Sequence, residues 1–180
     1  MRKCWKLKES LVLLVVVFLG ISASLSACTS KQPDGAPAGK DTQEIQVVNP
    51  LLHYQTIAEA REAVGFAFSI PTRIPEGYVQ TDILTIDRKI AQIVYKNKEN
   101  EITYRTAKGS DAKGSEDISG DYNLYSTTKT VSIGQQKVEV KGENTEIRVA
   151  TWEKANECYS LVFTTGITEA QLAEIINSIK

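Results

Sequence analysis

The chain holds one histidine, one methionine, two tryptophans and three cysteines among its 180 residues. The shortage of histidine excludes most nucleophilic catalysis. A Ser–His–Asp hydrolase needs a base beside its nucleophile. The single His53 lies between Leu52 and Tyr54, and no Gly-x-Ser-x-Gly elbow occurs anywhere. His53 therefore reads as a surface or sheet-edge residue. One histidine with so few cysteines cannot assemble the usual zinc ligand set, so no metal and no other cofactor is expected. An excess of positive charge is absent too, with 21 Lys and Arg against 22 Asp and Glu. Without a basic cluster beyond the N-terminus there is no phosphate-binding patch, which excludes nucleic acid as a partner.

Long apolar runs are equally scarce. The only one is Leu11 to Leu19, LVLLVVVFL. It is too short to span a bilayer, which takes about 20 apolar residues, but it fits the apolar region of a signal peptide, about 7–15 residues. Arg2, Lys3, Lys6 and Lys8 precede it, the flank that holds an N-terminus in the cytoplasm. Leu25-Ser26-Ala27-Cys28 follows. This is a lipobox: a leucine, two small residues that let a peptidase reach the bond before Cys28, and a thiol that takes a diacylglyceryl group through a thioether. Residues 1–27 are expected to be a signal peptide, and Cys28 the lipidated first residue of the mature protein. The mature chain would contact the membrane through that lipid, on the extracytoplasmic face.

Residues 1–27 carry four of the basic residues and one of the acidic ones, so the remainder has a formal charge near −4. Cys4 leaves with the signal and Cys28 is acylated, so Cys158 alone remains and no disulfide can form within the mature protein. Cys158 lies in an apolar run beside Glu157. It reads as a small buried hydrophobe, because a reactive thiol wants a basic neighbour.

Residues 28–48 read as a lipidated cysteine and a tether. The stretch Lys31 to Lys40 is polar and rich in Pro and Gly, a composition that cannot bury a core. About 20 such residues reach roughly 25 Å. Residues 49–180 suit one domain. Thr56 and Glu59 form a capping box at the start of a helix that Gly65 ends. Seven β-branched runs follow: Val79–Asp87, Lys89–Lys96, Glu101–Ala107, Lys129–Ile133, Gln136–Lys141, Glu146–Trp152 and Glu157–Thr164. Short polar turns separate most of them, which predicts antiparallel meanders. Thr168 and Gln171 open a last helix, with Leu172, Ile175, Ile176 and Ile179 at helical spacing. The fold class expected is α+β: one twisted antiparallel sheet of six to seven strands, with an N-terminal and a C-terminal helix packed on one face.

Several segments in order resemble a known family. They are Ala63-Val64-Gly65-Phe66 leading to Ile70-Pro71, Ile74-Pro75-Glu76-Gly77-Tyr78, Ile102-Thr103-Tyr104-Arg105 and Asp117-Ile118-Ser119-Gly120-Asp121-Tyr122-Asn123. Gln136-Lys137-Val138 with Lys141-Gly142, Ala150-Thr151-Trp152 and Tyr159-Ser160 complete the series. Over residues 52–180 the chain is similar to domain of unknown function 4367, a bacterial domain common in exported or membrane-anchored proteins. The resemblance implies an envelope sensor or accessory domain, and it brings no catalytic residues with it.

The constellation richest in chemistry is Asp117 to Asn123. Oxygen side chains fall at 117, 119, 121 and 123, a spacing that can gather round calcium. An EF-hand counted from Asp117 would want Gly at its sixth place and Glu at its twelfth, where Tyr122 and Thr128 stand. The pattern fails as an EF-hand and reads as a structural turn, with Ser119 and Asp121 bonding nearby backbone and Gly120 at positive φ. Tyr104 and Arg105 point to opposite faces of one strand. One sheet face is to be covered by helix and the other open. Tyr104, Arg105, Asp117, Ser119, Asp121 and Tyr122 are the candidate ligand-binding residues, for a glycan, a lipid or an envelope protein. A lipid-anchored, non-enzymatic binding or sensing module ranks first. A lipid-carrying accessory lipoprotein is second, and an envelope-polymer hydrolase using Asp117 and Asp121 is third.

Overall fold

The structure is a computed structural model and describes residues 49–109 and 117–180. The expected signal peptide, Cys28 and the expected tether lie outside the described residues.

The strands run in chain order as β1 (Leu51–Tyr54), β2 (Val79–Ile86), β3 (Ile90–Asn97), β4 (Asn100–Lys108), β5 (Thr127–Ile133), β6 (Gln136–Glu143), β7 (Glu146–Lys154) and β8 (Glu157–Ile167). Helix α1 (Ile57–Val64) follows β1, and α2 (Glu169–Asn177) follows β8. All eight strands form one antiparallel sheet in the order β1-β2-β3-β4-β8-β7-β6-β5. Two meanders are thus joined at the centre, where β4 pairs with β8.

This corrects the expected architecture of six to seven strands with two helices covering one face. The extra strand is β1. It has four residues and follows directly on the expected tether, and its partner β2 lies some thirty residues on, so no local turn signal marks it. The helices are also too short to make a layer. Eight and nine residues at about 1.5 Å each give only about 12–14 Å. Eight strands at about 4.8 Å spacing span roughly 34 Å.

Both helices nevertheless start where the sequence says. Thr56 caps α1 and exchanges bonds with Glu59 in a capping box, and Gly65 closes it with φ +73. Thr168 and Gln171 do the same for α2.

Alternation along each strand sends one set of side chains to a common core. Register links Tyr54, Ile83, Ile93, Tyr104, Leu161, Ala150 and Val140 in one row across the sheet. The neighbouring row joins Thr85, Ala91, Thr106, Tyr159, Trp152, Val138 and Val131. Ala60 of α1, Phe68, and Leu172, Ile175 and Ile176 of α2 close this face. Phe66, Ile70, Ile74 and Tyr78, from the segment between α1 and β2, pack beside them. The cover is therefore a mixture of two short helices and extended chain.

The second face is decided by connectivity. β4 sits at the centre of the sheet and β5 at its edge, and four successive antiparallel pairings make them parallel. A parallel pair in one sheet needs a crossover. Lys108 ends β4 and Thr127 begins β5 at opposite ends of the strand direction, with three strands between them, so the connection joining them is a crossover. Its described part, residues 117–126, lies on the face opposite the helices, with Ile118 packed on Ala107, Ile90 and Cys158.

Candidate functional site

Five of the six candidate residues meet on this second face. Arg105 projects from β4, next to Gln92 of β3 and Ser160 of β8 in register. Its Nε donates to Gln92 Oε1 at 2.8 Å. Its Nη1 donates to the carbonyl oxygens of Ile118 at 3.1 Å and Ser119 at 2.5 Å. Burial draws the Arg105 pKa below its ordinary value, against Tyr122 and Asp117, which support the charge. The guanidinium is thus a clamp holding the crossover to the sheet.

The crossover is also tied to itself. Asp117 Oδ1 accepts the Ser119 N–H at 2.8 Å, Ser119 Oγ accepts the Asp121 N–H at 3.2 Å, and Asp121 Oδ1 accepts the Asn123 N–H at 2.8 Å. Each short polar side chain bonds the backbone two residues on, the Asx and Ser turn geometry. Gly120 sits among them at φ +65. A Cβ at that position would overlap the Arg105 guanidinium, so glycine is needed for both the angle and the close approach.

The remaining carboxylate oxygens are engaged as well. Asp117 Oδ2 accepts Lys141 Nζ at 2.8 Å. Burial alone would raise the Asp117 pKa, but the bonds from Lys141 and Ser119 outweigh it and the net shift is downward. Asp121 Oδ2 accepts the Tyr125 hydroxyl at 2.9 Å and Asn123 Nδ2 at 3.2 Å. The side chains thus serve the loop itself, the structural reading of the oxygen alternation. Among the described residues no three His, Cys, Asp or Glu side chains gather as a metal site.

Between the loop and the strands lies an open groove of about 450 Å³, lined by Thr103, Arg105, Val162 and residues Ser119 to Asn123. Tyr122 stands over it almost fully exposed, at 94%, and Leu124 beside it at 97%. The loop is anchored on both sides of these two, so their exposure belongs to an ordered segment.

Tyr104 does not belong with the others. It is wholly buried on the core face, and its hydroxyl donates to the Ser69 carbonyl at 2.8 Å. Burial raises its pKa well above the usual phenol value. The alternation that brings Arg105 to the groove takes Tyr104 away from it.

The other singled-out residues fall elsewhere. His53 is exposed on edge strand β1, 3.9 Å from Asp82. Cys158 is half-buried beside Ile118, and burial with Glu153 raises its thiol pKa, away from thiolate chemistry. Trp152 and Tyr159 stack in the core with ring centroids 5.2 Å apart. Thr103, Val162, Gln92 and Lys141 carry no local signal that marks them as parts of the site. Only the strand order brings them to the loop.

Residues 69–179 match the family model described as Domain of unknown function (DUF4367). The chain belongs to this family. No curated protein and no solved structure matches the chain. Within the DUF4367 domain lie β2 to β8, α2 and every residue of the groove, whereas β1 and α1 precede the matched stretch. No helix among the described residues is long and apolar enough to cross a membrane.

Proposed function

We propose that the protein is a lipid-anchored, extracytoplasmic binding module whose ligand contacts the groove beside Tyr122. The observation carrying this reading is the ordered exposure of Tyr122 above Arg105, Asn123 and Thr103. An aromatic ring offers apolar area at low entropic cost, and its hydroxyl supplies one polar contact. Groups able to bond a ligand surround it. The anchor is Cys28, reached by the basic flank, the apolar run and the lipobox.

Two features favour binding over the other readings. Lipid carriage needs an enclosed apolar cavity, whereas Ile93, Ile102, Tyr104, Leu161 and Leu172 fill the core face without exposure. A carboxyl acting as general acid needs a raised pKa, whereas that of Asp117 is lowered.

The test is thermal unfolding of the full chain in detergent, alone and with peptidoglycan fragments, phospholipid or calcium. A ligand at 100 times its dissociation constant adds about 2.7 kcal/mol. One of the first two should raise the midpoint by several degrees, and Tyr122→Ala should abolish the rise. A rise that survives Tyr122→Ala would refute the groove. Release of the Cys28→Ser variant from the membrane fraction is the matching result for the anchor, and unchanged retention would refute it.

A further inference from the structure

The sheet has two outer strands, and they differ in a way that bears on association. An outer strand presents unpaired N–H and C=O groups that template another strand, and proteins blunt such edges by shortness, charge, proline or bulges. β1 is blunted by its four-residue length. β5 has seven residues, Thr-Thr-Lys-Thr-Val-Ser-Ile, with no proline and an unbroken register against β6. Its one charge, Lys129, is already paired with Glu169 of α2 at 3.4 Å.

The outward groups of β5 can be identified. The β5–β6 hairpin turns through Gly134 and Gln135, with Ile133 opposite Gln136. In a two-residue hairpin the flanking pair exchanges both bonds. The pairs bonded to β6 are therefore those of Ile133, Val131, Lys129 and Thr127, and the N–H and C=O of Thr128, Thr130 and Ser132 face outward. Among the described residues no backbone group bonds them. All three side chains are exposed, while Val131 and Ile133 are buried in the core.

We infer that β5 is a docking edge for a second copy of this chain, which pairs antiparallel through its own β5 about Thr130. The strand suits itself in that arrangement. Thr130 meets the partner's Thr130, Thr128 meets the partner's Ser132, and Lys129 meets the partner's Val131, so no like charges stand directly opposite. Cross-strand Thr–Thr and Thr–Ser pairs are favourable. Three outward residues per strand satisfy one another through six ladder bonds. Such a contact is isologous and closed, so it ends at a dimer and joins two eight-stranded sheets into one. It uses the edge and leaves the groove beside Tyr122 free, so it stands independently of the binding reading.

Whole cells producing the full chain with Thr130→Cys are oxidised, lysed and run on a non-reducing gel, so that the reading does not depend on the anchor. Cα atoms of a bonded antiparallel pair lie about 5.5 Å apart, inside the roughly 4.4–6.8 Å window for a disulfide. Thr130→Cys should give a dimer band absent from the unsubstituted chain. Ser132→Cys should not, because the two copies of residue 132 would stand about 14 Å apart. Co-produced Thr128→Cys and Ser132→Cys chains should link to each other. No band from Thr130→Cys, or an equal band from Ser132→Cys, would overturn the inference. Sedimentation of the purified full chain in detergent gives a second reading. The unsubstituted chain should be dimeric and Thr130→Pro monomeric, since that N–H makes no bond within the sheet. A monomer in both would also overturn it.

Discussion

Replacing Arg105 by methionine should detach the crossover from the sheet. The variant keeps the aliphatic stem and removes three donated bonds, to Gln92, Ile118 and Ser119. A hydrogen bond from a charged donor contributes about 1.5–3 kcal/mol. Three of them would suggest a loss of about 4.5–9 kcal/mol, but two effects reduce it. Burying the guanidinium is itself costly, as its lowered pKa shows, and that cost is recovered. The loop can also lift off and hydrate its freed carbonyls. The loss is then limited to what docking contributes, chiefly burial of Ile118, which is only 5% exposed and is worth about 1.5–3 kcal/mol. The expected destabilisation is about 2–3 kcal/mol. For a domain of this size that lowers the unfolding midpoint by roughly 10 °C. Amide exchange should speed up at Ser119, Asp121 and Asn123, whose N–H groups lose their ordered acceptors, and stay slow at Leu161 in the central strand. A midpoint within about 2 °C of the parent, with exchange unchanged in the loop, would refute the clamp.

Two tyrosines make an opposed pair. Tyr104→Phe strands the Ser69 carbonyl and should cost about 1 kcal/mol in denaturant unfolding. The Tyr95 hydroxyl is buried without a partner among the described residues, so Tyr95→Phe should be neutral or stabilising. Burial pushes the Tyr95 pKa up from 10.0 to about 12. The folded state thus holds the neutral phenol longer, and that contribution is complete below pH 10 and lost as pH rises towards 12. Tyr95→Phe should flatten the stability profile in that window. Asp117→Asn should cost about 1 kcal/mol at pH 7 by removing the ion pair with Lys141. Because the folded Asp117 pKa lies below its ordinary 3.8, the difference should hold above that value and vanish as pH falls through the folded pKa. Ala155 takes φ +52 in the β7–β8 turn, so Ala155→Gly should stabilise by about 1 kcal/mol in the same unfolding assay.

Local chemistry was legible in the sequence and long-range placement was not. Capping boxes at Thr56 and Thr168 depend on four consecutive residues, and both helices begin there. The seven strands after α1 were visible because β-branched runs alternate with turn residues. β1 escaped because Leu51 to Tyr54 pair with residues about thirty positions away. Arg105 and the 117–123 loop were found as separate pieces, through alternation and turn chemistry. Their meeting depends on β4 lying at the sheet centre and β5 at its edge, which no local pattern encodes. Lys141 was missed for the same reason, since only the strand order brings β6 under Asp117. Tyr104 was proposed with Arg105 because tyrosine suits either a core or a binding face. Its neighbours across the sheet, Ile93 and Leu161, decide for the core.

The most direct test is an amide chemical-shift map of the protein titrated with peptidoglycan fragments and, separately, with phospholipid micelles. If the groove is the binding site, one of them perturbs Thr103, Arg105, Ser119 to Asn123 and Val162 together, with α1 and α2 unmoved. Perturbation centred on the helices and Phe68, or none at the groove with either ligand, would contradict it.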